Sequence, residues 1–377
     1  MKAYVFTDAS LERYAGRFVW LSLNTEDAKN AAFLKRYPIP ALPTILVLDP
    51  SRDTVVLRYV GGASVAQVRR LLDEAENTVM AGRRSRADTL LTRADRLTSE
   101  GKQAEAVPLY VDAISSAPQS WKKLGRASEA LIYALSMTND QPRCATRALQ
   151  LYPRVKGTPA AANVAATGLA CAVALDKEHP KRRQLLDGLE TATIEAFEDK
   201  KLVISDDDRS GLYIALIDAR DAAGDDEEVI RLKYEWAAFL EGAAARATTP
   251  DQRTVYDSHR LAAYLDLGTP EKAVPMLEQS ERDFPDDYNP PARLAMAWKE
   301  LKEFDKALAA SDRALAKVYG PRRISVLSVR ADIYVARGDL AAAKETVRAA
   351  LEAAKALPEG QRSERRITAL EKRLASM

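Results

Sequence analysis

The rhythm of apolar and polar positions changes near residue 80. Before it, short apolar runs alternate with helical spacing. "FVWLSLN" (18–24) predicts a strand, and "EDAKNAAFLKRY" (26–37) predicts a helix. "TILVLD" (44–49) predicts a buried strand, and Pro50 to Asp53 a turn. "TVVLRYV" (54–60) predicts a second strand, close enough for a hairpin. Gly61-Gly62 then leads to Ser64, an N-cap for the helix "VAQVRRLLDEAE". The expected order is β-α-β-β-α. After about residue 85 every apolar period is helical.

The helical part repeats. In "EGKQAEAVPLYVDAISSAP" (100–118), Gly101 is followed by Ala106, Tyr110, Ala113 and Pro118. A matching register places Tyr264, Gly268, Ala273, Leu277 and Pro285. It returns with Trp298, Lys302, Ala307 and Ala314, and again with Tyr334, Gly338, Ala343 and Ala350. The step from Ala273 to Ala307 is 34 residues, and from Ala307 to Ala343 it is 36. This pattern resembles the tetratricopeptide repeat, a helix-turn-helix unit of about 34 residues. Two antiparallel helices approach closely only at small residues, so Ala94 is expected against Ala106 and Ala295 against Ala307. Units are expected from near 87, 254, 288 and 324, with weaker ones near 125, 164 and 210. Arg183 and Val229 fit the small-residue slots of the weaker units poorly. "RSERRITALEKRLAS" (362–376) has Ile367, Leu370 and Leu374 on one face and reads as the capping helix a solenoid end requires.

Composition narrows the function classes. Lys+Arg is 56 against Asp+Glu 54, a net charge of +2, so no nucleic-acid or membrane footprint is expected. Basic runs such as Arg322-Arg323 read as solvated faces. No secretory leader is visible at the start of the chain. The most apolar stretch, 160–175, is alanine-rich and short of a membrane span, so it reads as a buried helix. The two cysteines, Cys144 and Cys171, fall in small-residue slots and read as buried structural thiols. Ser258-His259 reads as a surface pair, because adjacent helical residues point apart. "DDDRSG" (206–211) lacks the glutamate a calcium loop needs, since Ile217 stands in its place. No metal and no cofactor is expected.

"YPIPALPTILVLDP" (37–50) sets three prolines before a strand, where their missing N–H is a liability. With the hairpin, the glycine pair and the helix from Ser64, it resembles the second half of a thioredoxin-fold domain. That resemblance covers residues 1–77. It implies that Pro43 is cis and that the backbone around Leu42, Pro43 and Thr44 holds an extended substrate. The family's first strand and CxxC pair would precede Met1, so the chain as written is expected to be redox-silent.

The combined expectation is an α/β partial thioredoxin-like domain (1–77), a linker (78–86), an all-α tetratricopeptide-like superhelical solenoid (87–360) and a capping helix (361–377). The function expected is a protein-interaction scaffold, with a protein or peptide partner on the concave surface of the repeats. The alternative is a thiol–disulfide oxidoreductase whose CxxC lies upstream of an internal start. The compartment follows the same fork: cytoplasmic as the chain stands, periplasmic or envelope if an upstream start adds a signal sequence. Alanine- and arginine-rich usage fits a bacterial source.

Overall fold

A computed structural model describes residues 1–80 and 85–377. The linker expected over 78–86 includes residues 81–84, which lie outside the described residues. By internal contacts the chain divides into two compact units. One comprises Met1–Phe18 and Pro38–Lys233, the other Val19–Tyr37 and Tyr234–Met377.

In the first unit, β1 (Thr44–Asp49) and β2 (Thr54–Val60) pair antiparallel, Thr44 opposite Val60 and Asp49 opposite Thr54. Among the described residues this is a two-stranded sheet. The strand expected over 18–24 does not form. Val19 is 89% exposed and Leu21 77% exposed, so this apolar run finds no partner strand to satisfy its backbone. The helix expected over 26–37 is shorter: a 3-10 turn (Ala28–Asn30) leads into α1 (Ala31–Arg36), which belongs to the second unit. Helix α2 (Val65–Met80) starts where expected. Ser64 Oγ accepts from Gln67 N at 3.3 Å, while Gln67 Oε1 accepts from Ser64 N at 2.8 Å, a reciprocal cap. Val5, Leu11 and Tyr14 join Leu57, Tyr59, Val68, Leu71 and Leu72 in one apolar core. The Tyr14 hydroxyl donates to Asp73 Oδ1 at 2.7 Å, fixing the first residues on α2.

The further helices of the first unit follow in order: α3 (Arg86–Ser99), α4 (Gln103–Ser116), α5 (Leu124–Met137), α6 (Gln141–Val155), α7 (Ala160–Val173), α8 (Arg182–Glu198) and α9 (Asp206–Ala223). Helix α10 (Asp226–Ala245) runs from the first unit into the second. Small residues sit at the close approaches: Ala94, Ala106 and Ala127 are fully buried. In α8 the expected register slips. Arg183 points into solvent, and Leu185 and Leu189 take the interior instead. Val229 is buried despite its bulk. "DDDRSG" opens α9, where Ser205 and Asp208 form a capping box and three aspartates face the positive end of the helix dipole.

The expectation of free thiols is overturned. Cys144 on α6 and Cys171 on α7 are joined in a disulfide, with Cα atoms 6.1 Å apart and a sequence separation of 27. Both slots are small and both face the same helix–helix seam, which brings the sulfurs within bonding distance. The bridge therefore staples the second helix pair to the third.

The second unit holds α11 (Pro250–Thr254), α12 (Asp257–Asp266), α13 (Ala273–Asp283), α14 (Asn289–Glu300), α15 (Phe304–Leu315), α16 (Gly320–Arg337), α17 (Leu340–Lys355) and α18 (Glu364–Ala375). Ala263, Ala273, Ala295, Ala307, Ala331 and Ala343 are all buried, as the small-residue register requires. Gly338 caps α16 in the left-handed conformation at φ 87°. Ile367 and Leu370 of α18 pack on Ile324, Leu327, Val347 and Leu351, closing the last pair.

Candidate interaction surfaces

The loop singled out in the sequence leads into β1. The Leu42–Pro43 peptide bond is cis. Two of its polar groups are used locally: Thr44 Oγ1 donates to Ala41 O at 2.7 Å, and Pro43 O accepts from Gly61 N at 2.9 Å. Leu42 presents its side chain to solvent, 56% exposed. Cys144 and Cys171 are bonded to each other on α6 and α7. Leu42, Pro43 and Thr44 lead into the hairpin, and the Leu42 side chain is the group offered outward.

Beside the hairpin lies a polar network that sequence reasoning missed. Arg126 on α5 donates to Glu74 of α2 at 2.5 Å and to Asp95 of α3 at 2.6 Å. Tyr110 of α4 donates to Asp95 Oδ1 at 2.9 Å. Burial pushes the Asp95 carboxyl up against the opposing pull of Arg126. Burial also works against the Arg126 charge, but Asp95 and Glu74 outweigh it and raise its pKa. Asp88 at the start of α3 meets Lys123 at 2.9 Å and Trp121 Nε1 at 3.1 Å. Burial alone would raise the Asp88 carboxyl; its bonds from Ser85, Lys123 and Trp121 carry it down to about 2. Charged residues spread over three helices, α2, α3 and α5, gave no local sequence signal.

A second cluster gathers where β2 meets the first helices of successive pairs. Asn163 of α7 donates to Glu129 of α5 at 3.1 Å. Burial lifts Glu129 to about 8 and Asp208 to about 6. A Cβ on Gly62 would fall 2.5 Å from Ser205 Oγ, so glycine is required for the strand end to lie there. The buried Arg58 of β2 lies over the Tyr133 ring of α5, 5.6 Å from its centroid. The hairpin thus packs on α5 through Arg58, and Gly62 just after it meets the start of α9.

In the second unit two first helices, α12 and α16, carry an arginine–aromatic motif. Arg260 lies 5.9 Å from the Tyr264 ring on α12, and Arg330 lies 5.4 Å from the Tyr334 ring on α16. The Tyr264 hydroxyl donates to Glu241 at 2.7 Å, and Arg330 donates to Asp312 at 2.7 Å. The buried Asp257 accepts from Ser280 at 2.6 Å, linking α12 to α13. Tyr264, Trp298 and Tyr334, which recur at matching places in the sequence, each carry a cation over the ring, Lys306 of α15 in the case of Trp298. Ser258 is exposed, while His259 sits beside Trp236 at 5.9 Å between ring centroids.

Residues 324–357, which span α16 and α17, match the tetratricopeptide repeat family. Among solved structures, the chain is similar to the TPR2AB domain of yeast Sti1 in complex with pHSP90. The identity is 14%, the TM-score is 0.27, and the match covers 77% of this chain and 98% of that one. No curated protein matches. No helix of the described residues is long and apolar enough to cross a membrane.

Proposed function

We propose that the protein is an interaction scaffold whose helix pairs present a protein or peptide partner with the inner face of α12, α14 and α16. The observation that carries this reading is the repeated arginine–aromatic pair, Arg260–Tyr264 and Arg330–Tyr334, on first helices of a repeat array. Aromatic and arginine side chains are the usual anchors of protein interfaces. The N-terminal hairpin is a thioredoxin-like remnant in this reading. Its support is the order of hairpin, glycine pair and helix behind Pro43, and it carries no thiol pair of its own. The buried disulfide on α6 and α7 favours an oxidising compartment, such as the bacterial periplasm.

A photo-crosslinking residue at Tyr334 tests the reading. In extract of the native cell it should capture a discrete partner, while the same residue at Arg348 on α17 should not. Equal capture at both positions, or none at either, contradicts it.

A further inference from the structure

Residues 19–37 leave the first unit and join the second, and the chain returns to the first unit at Pro38. Within the second unit this excursion follows a track laid by successive pairs. Asn24 Nδ2 donates to the Tyr319 hydroxyl at 2.7 Å. Gln361 Nε2 donates to Thr25 O at 2.8 Å. The Glu26 carboxylate accepts from the Tyr288 hydroxyl at 3.0 Å and from Arg322 Nε at 3.2 Å. Lys35 pairs with Glu359 at 2.7 Å. Tyr288 precedes α14, Arg322 lies in the first turn of α16, and Gln361 precedes α18. The docking groups therefore recur once per repeat.

Two glycines let the backbone in. A Cβ on Gly320 would lie 2.2 Å from Glu26 O, and one on Gly360 would lie 2.0 Å from Ala31 O. Backbone so close to backbone admits no side chain at either place. The polar contacts, by contrast, are individually weak. Both partners of the Lys35–Glu359 pair are more than half exposed, and the Arg322 side chain is 51% exposed. Such pairs contribute little. The segment also buries Leu34 and Tyr37, and because it is tethered at both ends a competitor must match its high effective concentration.

We propose that residues 24–36 are a displaceable, built-in occupant of a docking track at the starts of α14, α16 and α18. The partner that takes the track in trans is a protein segment that turns there, as Asn24 to Asp27 do, and places a glutamate on Tyr288 and Arg322. This rests on the scaffold reading and names its partner chemistry. Glu26 supplies the chemistry: a carboxylate held by a phenol and a guanidinium, with its own carbonyl against a glycine.

The test uses the full chain and a fluorescent synthetic peptide of residues 22–37 as probe. Wild type should bind the probe poorly, because its own segment competes. Glu26→Arg should bind it at least tenfold more tightly. Arg322→Glu should reject the native probe but accept a probe carrying Glu26→Arg, a reversal that misfolding cannot produce. Thermal melts of both variants report folding. The proposal is overturned if Glu26→Arg binds the probe no better than wild type, or if Arg322→Glu shows no reversal. Concentration-dependent dimerisation of Glu26→Arg in light scattering would overturn the partner assignment in favour of a second copy. Crosslinking at Tyr334 is read separately, so failure of the scaffold reading and failure of the displaceable segment are distinguishable.

Discussion

Gly168 of α7 faces Ala148 of α6 so closely that a Cβ on the glycine would lie 2.3 Å from the alanine Cβ. Leu189 closes the other side at 2.9 Å. The seam has no room to give, and it is the one the disulfide spans. Gly168→Ala should destabilise the protein by about 1–3 kcal/mol through overpacking. A urea denaturation midpoint shifted down with unchanged slope is the expected reading.

The Cys144–Cys171 bridge closes a loop of 27 residues. In the chain-entropy model a loop of that length restrains the unfolded state by about 3–4 kcal/mol. Replacing both cysteines by alanine should lower the melting temperature without changing the helical circular dichroism at 25 °C. The same loss on full reduction under denaturing conditions would identify the bridge, rather than cavity effects, as the cause.

Arg126 is the hub of the first unit's polar network. Arg126→Met strands Asp95, which is fully buried, without its charge partner. The expected cost is about 3–5 kcal/mol. Adding Asp95→Asn should recover part of it, and a double-mutant cycle measures the coupling.

The acid cluster predicts a pH dependence of definite sign. Burial raises Glu129 to about 8 and Asp208 to about 6 in the folded protein, above their ordinary values of 4.5 and 3.8. The folded state therefore holds more protons than the unfolded state between those limits. This contribution falls as pH rises from about 4 to about 8 and then levels off. Asp88 works the other way: depressed to about 2, it adds stability above about pH 4 that is lost as pH falls towards 2. Glu129→Gln should flatten the decline between pH 5 and pH 8 in chemical denaturation.

The repeats were legible because their signal is local. A small residue, a turn and a large residue recur at fixed steps, and Ala273, Ala307 and Ala343 are buried where that step puts them. The Ser64 cap and both hairpin strands were legible for the same reason. Residues 18–24 misled because a short apolar run makes a strand only if another strand pairs with it. What joins Glu26 to Tyr288 and Arg322 spans more than 260 residues of chain. Nothing near Glu26 announces it. The disulfide was hidden likewise, since two small-slot cysteines look the same bonded or free. The Arg126 network draws single charges from α2, α3 and α5, each of which reads alone as an ordinary surface residue.

The placement of residues 19–37 in the second unit is the claim on which the account turns. Zero-length carbodiimide coupling tests it directly, because Lys35 and Glu359 stand in contact at 2.7 Å. Peptide mass spectrometry of the coupled, intact chain should find Lys35 joined to Glu359, and Arg322→Glu should reduce the yield. Coupling of Lys35 to carboxylates of the first unit, with no Lys35–Glu359 product, would contradict the account.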